Sequence, residues 1–376
     1  MIRKFVIACG GTGGHLAPGI ALAQKLTGSG HSCRLFISQK QVDTRWIKKY
    51  TDLDYVPIDG VGLSLHPVKL IKFLITLIKS IAFTFRWLRK WKPDAVIAFG
   101  GFISVGAVLS AFLLRIPIVL HEANRKPGRT ILLMRKLATR IYLPDGMLMP
   151  GVRSERIKYY GYPIREEVSQ LDKVKSREAL GIETTGKLLV TIGGSQGASV
   201  FNKWVVENFD KLAYEGIHVY CITGPTQGAD GELEGKSRSG EIIKATFVSF
   251  TDQIPEVLSS ADLVVTRAGA GSIAEIIRCR VPSILIPYPY AADDHQMANA
   301  LFFESQAGGV LLKQDQMDRL YEEVKEVLGN EWLRERIQDN LAKLDEINSV
   351  ELIQRDLLDI CYKEREGGWL STGKLA

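Results

Sequence analysis

Cysteine is scarce in this chain. Of 376 residues only five are cysteines, Cys9, Cys33, Cys221, Cys279 and Cys361, far apart and without one Cys-x-x-Cys pair. An odd, dispersed set excludes a disulfide framework and a zinc knuckle, and it fits a reducing compartment. The pattern GxxxxGK[ST] is missing, so a P-loop is excluded. A long apolar leader is missing as well. The first apolar run covers only residues 5–9 before the glycines begin, too short for the core of a signal peptide, and a cytoplasmic chain is expected. Residues 95–114 carry no charge and are long enough to span a bilayer. Gly100-Gly101 interrupts that stretch and its first half is β-rich, so it reads as a buried strand, a glycine turn and a buried helix.

What the chain does have is an ordinary globular composition, 46% hydrophobic and 24% charged, at a length that suits two domains. Apolar residues are plentiful throughout, which excludes disorder. A net charge of +6 points to an anionic partner: a nucleotide, a membrane or nucleic acid. Glycine is abundant, with 35 residues, and partly clustered. Three segments repeat an apolar strand, a Gly-Gly turn and a helix: residues 5–9 before Gly10-Gly11, 95–99 before Gly100-Gly101, and 188–192 before Gly193-Gly194. Such repeats indicate parallel βαβ units, whose ligands bind at the C-terminal strand ends where these glycines fall. Strands are predicted at 4–9, 33–38, 95–99, 118–121 and 140–142 in a first half. In a second half they are predicted at 187–192, 218–223, 243–248, 263–266, 283–286 and 309–312. The halves join near Gly161-Tyr162-Pro163, and from Tyr321 onward the pattern is helical and charged. The expected fold class is α/β, with two Rossmann-like domains whose parallel sheets face a central cleft. GT-B glycosyltransferases, some dehydrogenases and some epimerases share that layout.

The loops narrow the choice. Gly10-Gly11-Thr12-Gly13-Gly14-His15 follows the first strand and opens a helix, where free backbone N–H groups favour an anion. It fails GxGxxG because Leu16 stands at the third glycine position, and the second strand ends at Ser38-Gln39 with no acidic residue for a ribose hydroxyl. A nicotinamide cofactor is therefore not expected. Gly193-Gly194-Ser195-Gln196-Gly197-Ala198 is a second loop of this kind, to which Ser195 adds a hydroxyl. A diphosphate is the fitting guest, although either loop alone could equally be a tight turn. Thr266-Arg267-Ala268-Gly269-Ala270-Gly271-Ser272 is a third small-residue loop. Glu275 follows it, one turn into a helix, where its carboxylate can accept both hydroxyls of a ribose diol or simply suit the helix dipole. Ile286-Pro287-Tyr288-Pro289 then leads to Asp293-Asp294-His295-Gln296 and Asn299, a polar cluster suited to sugar hydroxyls. Asp293, Asp294 and His295 make a poor metal set, because a well-spaced third ligand is lacking. No cofactor is expected, and no residue set is read as a metal site.

Together these segments resemble one family. GGTGGH from Gly10, HEAN from His121, GGSQGA from Gly193, TRAGAGSIAE from Thr266 and DDHQMANA from Asp293 are similar, in order, to motifs of the MurG family of bacterial glycosyltransferases. The resemblance implies a GT-B fold with a membrane-associating acceptor domain over residues 1–162 and a donor domain over 163–349. A C-terminal helix over about 350–376 is expected to pack back on the first. It implies UDP-N-acetylglucosamine as donor and lipid I, undecaprenyl-diphospho-muramoyl-pentapeptide, as acceptor. The product would be lipid II, formed with inversion at the cytoplasmic face of the inner membrane, and nucleic acid is not among the implied partners. Carried across, Thr12, Gly13 and Gly14 lie at the donor diphosphate, Asn124 faces the donor sugar, and Arg165 flanks the uracil. Ser195 holds a phosphate, Glu275 the ribose beside Ala270 and Gly271, and Gln296 the sugar hydroxyls. The uracil meets backbone groups just after Phe250, at Thr251. This chain has Ala123 where the family has Gln in HEQN, Phe102 and Gly106 where GGYxSxP has Tyr and Pro, and His295 where many members have Gln. The alternatives are a GT-B enzyme with another lipid or small acceptor, and a UDP-N-acetylglucosamine 2-epimerase. His15 lacks the acidic loop neighbour that an epimerase would want.

Two further expectations concern catalysis and location. His15, at the mouth of the first loop, is the expected general base, with a helix start that keeps its ring neutral. His121, at a strand end, is expected to orient the Glu122–Asn124 turn. No acidic residue occurs between Asp59 and Asp94, whereas Lys69, Lys72, Lys79, Arg86, Arg89, Lys90 and Lys92 all fall there. The remainder of the chain is thus close to neutral. A helix over about 67–92, apolar at nearly every other position and with Lys72, Lys79 and Arg86 seven residues apart, is expected to lie on an anionic membrane surface.

Overall fold

The computed structural model describes residues 2–11, 13–39, 46–59, 67–183, 186–194, 197–225, 230–345 and 349–366. They divide into one unit within Met1–Ala123, Pro127–Glu166 and Asn348–Ala376, and another within Asn124–Lys126 and Glu167–Ile347.

The first unit runs β1 (Lys4–Ala8), α1 (Gly13–Gly28), β2 (Ser32–Ser38), β3 (Tyr55–Ile58), α2 (Pro67–Trp91), β4 (Ala95–Ala98) and α3 (Gly101–Leu113). It continues with β5 (Ile118–His121), α4 (Arg129–Met134), β6 (Arg140–Leu143) and β7 (Ile157–Tyr159). The strands form one parallel sheet in the order β3-β2-β1-β4-β5-β6-β7. Both faces are covered, which is why the central strands are apolar without alternation. Phe5, Ile7 and Cys9 pack with Leu16, Ile20 and Leu26 of α1 on one face. Val6 and Ala8 pack with Ile103, Ala107 and Ala111 of α3 on the other. Strand order reverses at β1 and β4, so the turns at Gly10-Gly11 and Gly100-Gly101 sit at the switch point of the sheet. The uncharged run from residue 95 is indeed β4 and α3, and no helix among the described residues is long and apolar enough to cross a membrane. Edge strands β3 and β7 went unpredicted. They are short, and their sequences YVPI and IKY lack a continuous apolar run.

Helix α2 packs on α3 through a narrow stripe of Ser80, Thr84 and Leu88, all buried. Thr84 Oγ1 donates to the Gly106 carbonyl at 3.0 Å and lies 2.7 Å from Ser110 Oγ. A Cβ at Gly106 would stand 2.6 Å from Ser80 Oγ, so the residue that replaces the family proline permits this close crossing. Of the larger apolar residues in the first half of α2, Ile71, Leu74, Ile75 and Ile78 are exposed, as is Phe83 further on.

The second unit runs α5 (Lys173–Ala179), β8 (Lys187–Ile192), α6 (Ser199–Tyr214), β9 (Ile217–Ile222), β10 (Gly231–Lys236), β11 (Ile242–Val248) and α7 (Ile254–Ser260). It continues with β12 (Leu263–Thr266), α8 (Ala270–Cys279), β13 (Ser283–Leu285), α9 (His295–Ser305), β14 (Val310–Leu311), α10 (Leu320–Gly329) and α11 (Glu331–Leu344). The sheet order is β10-β11-β9-β8-β12-β13-β14. All pairs are parallel except β10 with β11. Strand β10, GELEGK, is an exposed edge whose charges and glycines hid it from pattern reading. The switch point here lies between β8 and β12.

Helix α12 (Ser349–Glu366) belongs to the first unit. Its Ile353, Leu357, Ile360 and Cys361 enter the core beside α1. Buried Asp356 accepts hydrogen bonds from Arg140 Nε and from the Tyr142 hydroxyl, each at 2.9 Å. Burial, and then the Asp356 charge, hold the Tyr142 hydroxyl well above its ordinary pKa.

Candidate functional site

In the first unit the glycines at the switch point are steric necessities. A Cβ at Gly10 would lie 2.3 Å from the Ser38 nitrogen, and Gly11 has φ +113°. Gly13 and Gly14 begin α1, while Thr12 lies outside the described residues. The His15 ring rests against the second Gly-Gly turn. A Cβ on Gly100 would be 3.2 Å from His15 Nε2, and one on Gly101 would be 3.3 Å from His15 Nδ1. Both turns thus converge on one imidazole at the C-terminal ends of adjacent strands. His121 is different. It is buried, its Nε2 meets the Gly161 carbonyl at 2.7 Å, and burial lowers its pKa to about 4. The ring is neutral at physiological pH and donates Nε2–H to that carbonyl. The next residue, Glu122, is also buried and closes the following turn by accepting the Gly128 N–H at 2.7 Å. Arg165 lies in the first unit, where Nη1 donates to the Tyr50 hydroxyl at 3.2 Å and the guanidinium is 5.1 Å from the Trp46 ring.

In the second unit the loops after β8 and β12 are neighbours because the strands are. Gly194 and Gly197 have φ +84° and +75°, and a Cβ at Gly197 would stand 2.3 Å from the Thr223 carbonyl. Ser195 and Gln196 lie outside the described residues. No side chain caps the start of α6, after Ala198, or of α8, after Gly269. Two helix starts without side-chain caps, after adjacent strands, are an arrangement suited to a diphosphate. Ala270 and Gly271 are the first residues of α8, and Glu275 is half-buried one turn further on. Thr251 begins a turn, its Oγ1 accepting the Gln253 N–H at 3.1 Å, next to exposed Phe250.

Around the polar cluster the structure adds partners that the sequence did not reveal. Arg267 is buried among neutral groups, donating to the Ile286 and Pro287 carbonyls at 3.2 and 3.3 Å. Its guanidinium lies between the Phe201 ring at 4.8 Å and the Tyr288 ring at 5.4 Å, and burial pulls its pKa down. Gln296 is held by the Tyr288 N–H, which donates to its Oε1 at 2.9 Å. Asp293 and Asp294 are exposed and take successive left-handed conformations. Among the described residues no group of three or more His, Cys, Asp or Glu side chains could hold a metal ion. Asn299, buried in α9, bonds Asn124, the Arg125 amide and the Ala268 carbonyl. Of the predicted set, Asn124, Thr251, Ala270, Gly271, Glu275 and Gln296 fall in the second unit, and Gly13, Gly14, His15 and Arg165 in the first.

Comparison with known proteins places this geometry in context. Residues 5–143 match the Glycosyltransferase family 28 N-terminal domain, and residues 188–349 match the Glycosyltransferase family 28 C-terminal domain. The UDP-N-acetylglucosamine--N-acetylmuramyl-(pentapeptide) pyrophosphoryl-undecaprenol N-acetylglucosamine transferase of Opitutus terrae is 46% identical over 95% of this chain and 94% of its own length. The protein of the same name from Protochlamydia amoebophila is 34% identical over 81% of each. Among solved structures, Acinetobacter baumannii MurG superposes with a TM-score of 0.71 at 21% identity, covering 96% of this chain and 100% of that one. The calicheamicin glycosyltransferase CalG4 gives a TM-score of 0.68 at 13% identity over 96% and 99%. At such identities the structures show the shared fold, which is the expected GT-B class.

Proposed function

Because this chain belongs to the family of UDP-N-acetylglucosamine--N-acetylmuramyl-(pentapeptide) pyrophosphoryl-undecaprenol N-acetylglucosamine transferases, we propose that it moves N-acetylglucosamine from UDP-N-acetylglucosamine to lipid I, forming lipid II. The observation that carries this reading is the pair of uncapped helix starts at the β8–β12 switch point, with Glu275 one turn into the second. A nucleoside diphosphate needs that combination: amides for the phosphates and a carboxylate for the ribose diol. Ser195 and Thr12 are assigned to the phosphates, Thr251 and Arg165 to the uracil, and Gln296 and Asn124 to the sugar.

In the transfer, the acceptor hydroxyl attacks the anomeric carbon in line as the carbon–oxygen bond to the diphosphate breaks. The charge on departing UDP is met by preorganised amides. The hydroxyl proton goes to His15, whose ring stands at the switch point of the first sheet. His121, already donating to Gly161 and resistant to protonation until about pH 4, is poorly suited to that task. The acceptor hangs from a lipid, and the exposed apolar residues of α2 beside Lys79, Arg86 and Lys90 support attachment to an anionic membrane surface.

Incubation with UDP-N-acetylglucosamine, with and without lipid I, tests the reading. Release of UDP only when lipid I is present is expected. Conversion to UDP-N-acetylmannosamine, or release that another acceptor supports and lipid I does not, overturns it. His15→Ala is expected to cut turnover far more than donor binding, and a loss below about tenfold removes His15 as the base.

A further inference from the structure

We propose that Asn299 is a positioning residue that sets the polarity of the Asn124 side chain, so that Asn124 offers its amide nitrogen, and not its carbonyl, to an oxygen of the donor sugar; this rests on the donor site proposed above. The two backbone partners of Asn299 fix its orientation. The Arg125 N–H can only donate, and it donates to Asn299 Oδ1 at 2.8 Å. The Ala268 carbonyl can only accept, and it accepts from Asn299 Nδ2 at 3.1 Å. A side-chain amide held between two groups of such known polarity has one possible assignment. The second Nδ2 hydrogen then meets Asn124 at 3.1 Å, and the Asn124 atom that receives it must be the carbonyl oxygen Oδ1. The Asn124 nitrogen therefore points away from Asn299.

The surroundings make this arrangement hard to reverse. Asn299 is only 3% exposed and Ala268 is fully buried, so water cannot replace the bond between them. Flipping Asn124 would set its NH2 group against that of buried Asn299, and leaving a buried polar group unmatched is costly. The turn residues Asn124–Lys126 are grouped with the second unit, and Asn299 joins them to the β12–α8 loop that leads into Ala270 and Gly271. Pattern reading treated Asn299 as one more polar residue near the sugar. Its burial and three bonds make it a support for another residue instead.

Isosteric variants test the assignment. In Asn299→Asp the new carboxylate can still accept from Arg125, yet it cannot donate, so Asn124 is expected to turn its nitrogen inward and its oxygen toward the sugar. The expected result is a fall in kcat/KM for UDP-N-acetylglucosamine of about tenfold or more. Inhibition by UDP, which has no sugar, is expected to stay within about twofold of the parent. In an Asn124→Ala background the same Asn299→Asp change is expected to cost less than about twofold, because the group it orients is gone. Equal losses in both backgrounds, or UDP inhibition weakened by the same factor, overturn the proposal. If circular dichroism shows Asn299→Asp unfolded, Asn124→Asp decides, since it keeps the acceptor for Asn299 and replaces only the outward nitrogen. A tenfold loss with unchanged UDP inhibition supports the proposal, and kcat/KM within twofold of the parent overturns it. A parent protein that shows no transfer to lipid I while binding UDP overturns the functional reading itself, and the present inference with it.

Discussion

A buried imidazole such as His121 couples proton uptake to folding. The unfolded chain protonates this side chain near 6.5, whereas the folded chain resists until about 4. The fold therefore keeps its full advantage above pH 6.5 and loses it progressively between 6.5 and 4, by about 3 kcal/mol in all. His121→Gln cannot titrate, so the melting-temperature gap between parent and variant is expected to change in the variant's favour between pH 7.5 and 5. Parallel curves would show that His121 titrates in the fold as it does in the unfolded chain. Glu275→Ala should raise the apparent KM for the donor by about tenfold, since each substrate bond left unmade costs roughly 1–3 kcal/mol. If UDP and UMP bind the variant as tightly as the parent, Glu275 is a surface helix residue only. At this scale the glycines were legible because a missing Cβ leaves a pattern in the sequence. Arg267 and Asn299 were not, because their roles come from carbonyls and rings brought to them by distant segments.

Among the elements, α2 separates packing from exposure in an unexpected way. Its seating on α3 uses Ser80, Thr84 and Leu88, leaving Ile71, Leu74, Ile75 and Ile78 of the first half exposed. Lys79, Phe83, Arg86, Trp87 and Lys90 line a shallow groove of about 430 Å³ on the same helix. The side chain of Lys72 lies outside the described residues. Lys79→Glu with Arg86→Glu is expected to reduce sedimentation with phosphatidylglycerol or cardiolipin vesicles, at about 1 kcal/mol per basic side chain lost. Raising salt should mimic the change. Transfer to a short-chain soluble acceptor should survive, and undiminished sedimentation of the variant would assign the membrane contact elsewhere. Most of the eleven strands read from the sequence are buried and apolar; β11 and the edge strand β14 are partly exposed. Edge strands β3, β7 and β10 escaped, since one-sided or no burial asks little of their composition.

For the molecule as a whole, the return of α12 to the first unit is the feature that pattern reading alone could not measure. Its anchor is Asp356, whose carboxylate serves Arg140 and Tyr142 together. Asp356→Ala would leave a buried hydroxyl and a largely buried guanidinium without their acceptor, and a loss of about 3–5 kcal/mol is expected in urea unfolding. Asp356→Asn keeps an oxygen for one of them and should cost about 1 kcal/mol. Equal stability of all three proteins would reduce the contact to surface decoration. The same helix has a consequence for how the chain is made. The strands of the first unit are complete by Tyr159, yet Ile353, Leu357 and Ile360, which close its core beside α1, are synthesised almost two hundred residues later. At about 5–20 residues per second a ribosome needs roughly 10–40 s to cover that distance. Throughout that interval the emerging first unit holds an open apolar seam, and the second unit, though translated later, is the first to have every piece of its own core.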